Sequence, residues 1–164
     1  MKDNPAAIQD YDKAIEINPQ YANAYNNRGS AKDDMGDYPA AIQDYDKAIE
    51  FNPRDAEVYF NRGNAKYDMG DYTTAILDYD KAIEINPQYV EAYNNRGNAK
   101  NNMGDPPAAI QEYDKAIEIH PLFAIVYNNR ALCYRKIAET EPDEAKKAEL
   151  IAKAEADEEK AKSL

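Results

Sequence analysis

The 164 residues carry 31 acidic against 20 basic side chains, a net charge of −11, with 43% hydrophobic and 10% aromatic content. That acidity repels a phosphate backbone, so nucleic acid is excluded as the expected partner, and a single cysteine, Cys133, excludes an intramolecular disulfide framework. No run is apolar enough to span a bilayer and no basic start leads into a signal-like apolar stretch, so a cytoplasmic protein without a membrane partner is expected.

Along the chain the dominant signal is a repeat. Pro19, Pro53, Pro87 and Pro121 are spaced by 34 (53 − 19, 87 − 53, 121 − 87), and Tyr25, Tyr59, Tyr93 and Tyr127 keep step with them. This period divides the chain into a half repeat over 1–21, full repeats over 22–55, 56–89 and 90–123, and a final first helix with an extended capping helix over 124–164. All of it reads as one domain. In the half repeat only a second helix is expected, over 5–17, with Tyr11, Ala14 and Ile15 lacking the helix they would pack against.

Each full repeat reads as two helices. The first is predicted over 22–35, 56–69 and 90–103, and is stopped by Gly36, Gly70 and Gly104, which can take a left-handed conformation. Asp37, Asp71 and Asp105 then stand as N-caps, with Pro39 and Pro107 near the first turn of the second helix. That second helix carries Ala41, Ile42, Tyr45, Ala48 and Ile49, an apolar stripe at helical period. It ends where Asn52 precedes Pro53, because the residue before proline is pushed out of the α region. After the last first helix, near 124–138, an insertion around 139–142 displaces the final helix, on which Ile151 and Ala154 suit the core.

A single hairpin of this kind cannot bury its stripe, so neighbouring hairpins must stack. With Tyr59, Gly63, Ala75, Tyr79, Ala82 and Pro87 in their slots, the unit resembles the tetratricopeptide repeat, over about residues 1–138. The resemblance implies an all-α fold: a right-handed superhelical α-solenoid of stacked antiparallel helix pairs, about nine helices in all. Two slots depart from the pattern. Arg28, Arg62, Arg96 and Arg130 replace the usual Leu, and Lys32, Lys66 and Lys100 replace the usual second aromatic, which implies more polar packing between helices.

The same resemblance implies that the first helices line a concave surface and that the chain binds a protein or an extended peptide there. The positions that would face such a ligand include Asn26, Asn27, Phe60, Asn61, Asn64, Tyr67, Asn94, Asn95, Asn98, Asn128, Asn129 and Arg135. Each Asn amide offers donors and an acceptor to a peptide backbone. Phe60 and Tyr67, two turns apart on one helix, could share an aromatic pocket, and Ile125 and Leu132 repeat that spacing. Asp33, Asp34, Glu57, Asp68 and Glu91 make the early face acidic, while Arg135 and Lys136 make its end basic. A segment with a basic stretch near the first full repeat and an acidic group near Arg135 is the expected ligand. The family's carboxylate clamp is disfavoured, because Asn26, Glu57 and Glu91 stand where cations would be needed. Two alternatives remain: a self-assembling unit that forms a homodimer through the unpaired N-terminal helix, and an interaction fragment of a larger protein.

Other residues read as structural. The repeated arginines are expected to reach second-helix carboxylates such as Asp44 and Asp78. Cys133 takes the slot of Ala31, Ala65 and Ala99, which predicts a small core residue, and His120 lies in a turn at the surface. The acids over 33–37 lack the spacing of a calcium loop. One His, one Cys and scattered hydroxyls compose no triad or metal cluster, so no catalytic residue, metal or cofactor is expected and the protein is read as a non-enzyme.

Overall fold

A computed structural model describes residues 4–164, which form nine helices: α1 (Asn4–Ile17), α2 (Ala22–Asp33), α3 (Tyr38–Phe51), α4 (Ala56–Asp68), α5 (Tyr72–Ile85), α6 (Val90–Asn102), α7 (Pro106–Ile119), α8 (Ala124–Thr140) and α9 (Glu144–Lys162). The first helices start at the expected positions and stop one or two residues early. Gly36, Gly70 and Gly104 follow with φ of +80°, +80° and +87°, the left-handed turn that an L side chain resists. Asp37, Asp71 and Asp105 cap the next helices, accepting from the backbone N–H of Ala40, Thr74 and Ala108. Asp55 and Asp143 cap α4 and α9 in the same manner, which the repeat pattern did not single out.

The chain divides into two compact units, one ending at Pro87 and one beginning at Gln88. In the first, α2 packs on α3 and α4 on α5, with α1 against α2 and α3 against α4. Its core gathers Ala41, Tyr45, Ala48, Val58 and Ala65. The helix pairs close tightly because glycine faces tyrosine: a Cβ on Gly63 would stand 2.7 Å from Cε1 of Tyr79, a ring with no exposed surface. In the second unit α6 packs on α7, α7 on α8 and α8 on α9. Its core holds Ala109, Tyr113, Ala116, Val126 and Cys133. Burial pushes the Cys133 thiol up to about 11, as suits the inert core residue expected from its slot.

The polar packing implied by the arginines takes a definite form. Arg28 grips buried Asp44 through Nε at 2.9 Å and Nη2 at 2.5 Å, and reaches Asp12 on the preceding second helix through Nη1 at 2.6 Å. Arg62 repeats this on Asp78 and Asp46, and Arg130 on Asp157 and Asp114. Arg96 holds Glu112 at 3.0 and 2.5 Å. Lys32 and Lys66 give the same acids a second cation at 2.7 Å, and Lys100 does so for Glu112. Under each guanidinium lies the tyrosine three residues earlier, with Arg28, Arg62, Arg96 and Arg130 at 5.4 to 5.7 Å from the ring centroids. Tyr25, Tyr59 and Tyr127 in turn donate their hydroxyls to the carbonyls of Pro19, Pro53 and Pro121. A buried carboxylate is best tolerated when paired and hydrogen-bonded, and Asp44, Asp78, Glu112 and Asp157 each sit against an arginine.

The acid that Arg28, Arg62 and Arg96 grip lies 16 residues downstream, whereas Arg130 finds Asp157 at 27. The difference, 27 − 16 = 11, is the insertion, taken up by the end of the longer α8 and by the first turns of the 19-residue α9 ahead of Asp157. α9 therefore serves as the displaced second helix, with Ala154 fully buried and Ile151 half-buried.

Candidate functional site

The residues expected to face a ligand lie on α2 and α4 in the first unit and on α6 and α8 in the second. Their amides are partly used between helices. Asn61 Nδ2 donates to Oδ1 of buried Asn26 at 3.2 Å, and Asn129 Nδ2 donates to Oδ1 of buried Asn94 at 2.9 Å, each pair 35 residues apart. Asn94 also donates to Asn95 at 3.0 Å. Asn64 and Asn98 accept the hydroxyls of Tyr79 and Tyr113 at 2.9 and 2.8 Å. Buried amides and phenols need such partners. Asn27 and Asn128 are exposed, and Asn95 is half-buried.

Phe60 and Tyr67 of α4 each meet a tyrosine of α5. Phe60 tilts against Tyr79 at 6.0 Å between centroids, and Tyr67 sets its edge to Tyr72 at 5.2 Å. At the other end of the array, Arg135 is held by Glu158 through Nε at 2.7 Å and Nη2 at 3.0 Å, and this fork pulls the Glu158 carboxyl below its usual range. Lys136 Nζ donates to the backbone oxygen and Oδ1 of Asn101 at 3.2 and 3.3 Å, again 35 residues away. The two cations of that end are thus engaged within their own unit. The period could not foresee this, because the insertion moves Glu158 out of phase.

Asp33 and Asp68 occupy the corresponding pair of positions, also 35 apart (68 − 33 = 35), and the charge of Asp68 acts on Asp33. Burial raises the Asp33 carboxyl to about 6, with Asp68 and then Asp34 pushing the same way. Asp33 Oδ1 is buried and has no hydrogen-bond partner. Burial also raises Asp68. The sequence marked both acids as part of an acidic face, and the signal for their opposition was their placement at neighbouring positions of successive first helices. Among the described residues no cluster of His, Cys, Asp and Glu could hold a metal ion.

Family models described as TPR repeat and tetratricopeptide repeat match residues 1–32, 34–70, 63–104 and 90–122, and a further tetratricopeptide model matches 112–147. The chain belongs to the tetratricopeptide repeat family. As a tetratricopeptide protein it is an all-α repeat scaffold and not an enzyme. A search of curated protein sequences gives no match. Among solved structures the tetratricopeptide chain is similar to MamA, at 27% identity and a TM-score of 0.83, covering 99% of this chain and 92% of that one. It shares its fold with YrrB, described as having an unusual peptide-binding site, at 23% identity and a TM-score of 0.75, covering 98% and 84%. The first repeat domain of Spaghetti (RPAP3), bound to the HSP90 peptide SRMEEVD, matches at 24% identity and 0.70, covering 73% and 94%. Among the described residues, no helix of this tetratricopeptide chain is long and apolar enough to cross a membrane.

Proposed function

We propose that the chain is a protein-interaction scaffold whose first helices dock an extended peptide or partner segment, and that the segment bound by the unit ending at Pro87 is basic there. The observation that carries this reading is Asp33: a carboxylate oxygen buried without a partner and set against Asp68. A lysine, arginine or terminal amine from a ligand, set beside Asp68 and half-buried Asp33, would offset the charge of both acids, as Lys136 brings a cation to Asn101 at the equivalent positions. Asn27 and Asn61, with Phe60 and Tyr67 beside them, would then hold the backbone and an apolar anchor. In the other unit Asn95, Asn98, Asn128 and Asn129 would offer the corresponding amides. The peptide bound to Spaghetti (RPAP3) and the peptide-binding site ascribed to YrrB support peptide docking as the use of this fold. An acidic peptide such as SRMEEVD suits Asp33, Asp34 and Asp68 poorly.

Lysine-rich and glutamate-rich extended peptides of equal length, titrated into the full chain at pH 7.5, test the proposal. The lysine peptide is expected to bind, and to weaken at least tenfold with Asp33→Asn plus Asp68→Asn or at pH 5, where Asp33 is protonated. Equal binding of the two peptides, or binding indifferent to both changes, would refute it.

A further inference from the structure

Five of the six arginines hold a carboxylate: Arg28, Arg62, Arg96 and Arg130 in the buried forks, and Arg135 on Glu158. Arg54 is the exception. It stands exposed in the turn between α3 and α4 and meets no acid among the described residues. Beside it opens a cavity of about 510 Å³, lined by Pro53, Arg54, Tyr59, Lys81, Glu84 and Ile85. Lys81 is committed to Glu84 at 2.8 and 2.9 Å, so Arg54 supplies the free charge of the cavity. All six residues lie in the unit ending at Pro87, and none belongs to the first-helix face described above.

The surface around this cavity departs from the repeat. Gln20 and Gln88 stand where Arg54 does, so the corresponding turns carry no cation. Phe51, the counterpart of Ile85, lays its ring against Tyr25, the counterpart of Tyr59, at 5.7 Å between centroids. Ile85 brings no ring to that place, and the cavity lies beside it. Leu77, one turn before Lys81 on the same side of α5, is 62% exposed where α3 and α7 carry Gln43 and Gln111.

We propose that this surface docks a partner protein through a segment that carries an aromatic side chain, a carboxylate next to it and an aliphatic side chain about four residues away. Arg54 would take the carboxylate in the bidentate fork that Arg28 and Arg62 make on their acids. The ring would enter the cavity beside Ile85, as the ring of Phe51 serves Tyr25. Leu77 lies eight residues before Ile85 (85 − 77), roughly 12 Å along the helix, a span that about four extended residues cover. Charge sets this occupant apart from the basic segment proposed for the first-helix face, because Arg54 would repel it. The two sites are independent.

The probe is the acetylated and amidated nonapeptide Leu-Ser-Gly-Ser-Phe-Glu-Ser-Gly-Leu, with a Leu four residues to either side of Phe so that both chain directions are served. Titrated into the isotope-labelled full chain at pH 7.5, it is expected to shift the amide resonances of Arg54, Leu77, Lys81 and Ile85 and to leave those of Asn27 and Asn128 in place. Arg54→Gln and Leu77→Gln introduce the residue that the other repeats carry there, so both variants keep the fold. The first should weaken the probe at least tenfold and the second about threefold. Arg54→Glu should instead prefer the probe with Lys in place of Glu. Shifts confined to the first-helix face, an affinity indifferent to Arg54→Gln or to Ser in place of Phe in the probe, or a dimer of the chain held through Arg54 would each overturn the proposal.

Discussion

One pair of positions, 35 apart on successive first helices, is filled in the two units with opposite results. In the unit beginning at Gln88 it joins Lys136 to Asn101, a cation to an amide that can accept from it. In the unit ending at Pro87 the same two positions hold Asp68 and Asp33, two acids of which the second has an oxygen buried and unpaired. The backbone frame is common to both, so the difference lies in two side chains. A repeat fold tolerates such local conflict because its stability is a sum over many similar interfaces. The Arg-tyrosine-carboxylate forks carry the packing in every repeat, which leaves the first-helix face open to vary.

That division of labour can be broken at its strong points first. Arg62→Met removes the main partner of Asp78, leaving a buried carboxylate with Lys66 alone, and is predicted to cost about 3 kcal/mol in chemical denaturation. Arg135→Met, whose partner Glu158 lies at the surface, should leave the same midpoint unchanged. Gly63→Ala comes next: its Cβ would meet Cε1, Cδ1 and Cζ of Tyr79 at 2.7, 2.9 and 3.3 Å, and the buried ring has no room to retreat. About 2 kcal/mol of destabilisation is expected.

The smallest effect has the opposite sign. The Asp33 pKa of about 6 in the fold lies above its ordinary 3.8, so the group favours folding most below pH 3.8 and loses that contribution as pH rises through 6. At neutral pH the ionised form is a burden. Asp33→Asn should therefore stabilise by about 1 kcal/mol at pH 7.5, after allowance for partial exposure, and raise Tm by about 2–4 °C. The gain should shrink towards pH 4, which paired thermal melts would show.

Most of the fold was legible in the sequence because its causes are local or strictly periodic. Gly36, Gly70 and Gly104 stop helices by backbone conformation alone, Asp37, Asp71 and Asp105 cap the next ones within three residues, and Arg28 and Arg62 find acids at a fixed spacing. The face of the first helices was less legible. Twelve residues could be assigned to it, but the sequence could not tell which would turn towards the next helix. Asn26 and Asn27 are neighbours of one residue type, yet one is buried against Asn61 and the other exposed, a distinction set by how successive helices lie together. The sequence read Arg135 as a basic group at the end of the face but not its pairing with Glu158, because that partner sits on α9, whose register an 11-residue insertion (27 − 16) had taken out of period.

Asp68→Lys tests the central claim most directly, because it writes the arrangement of Lys136 into the unit that lacks it. The variant is predicted to melt above the parent chain at pH 7.5, by more than Asp33→Asn alone, and to lose at least tenfold in affinity for a lysine-rich peptide, its own ammonium occupying Asp33. An unchanged or lowered Tm together with undiminished binding of that peptide would contradict the account.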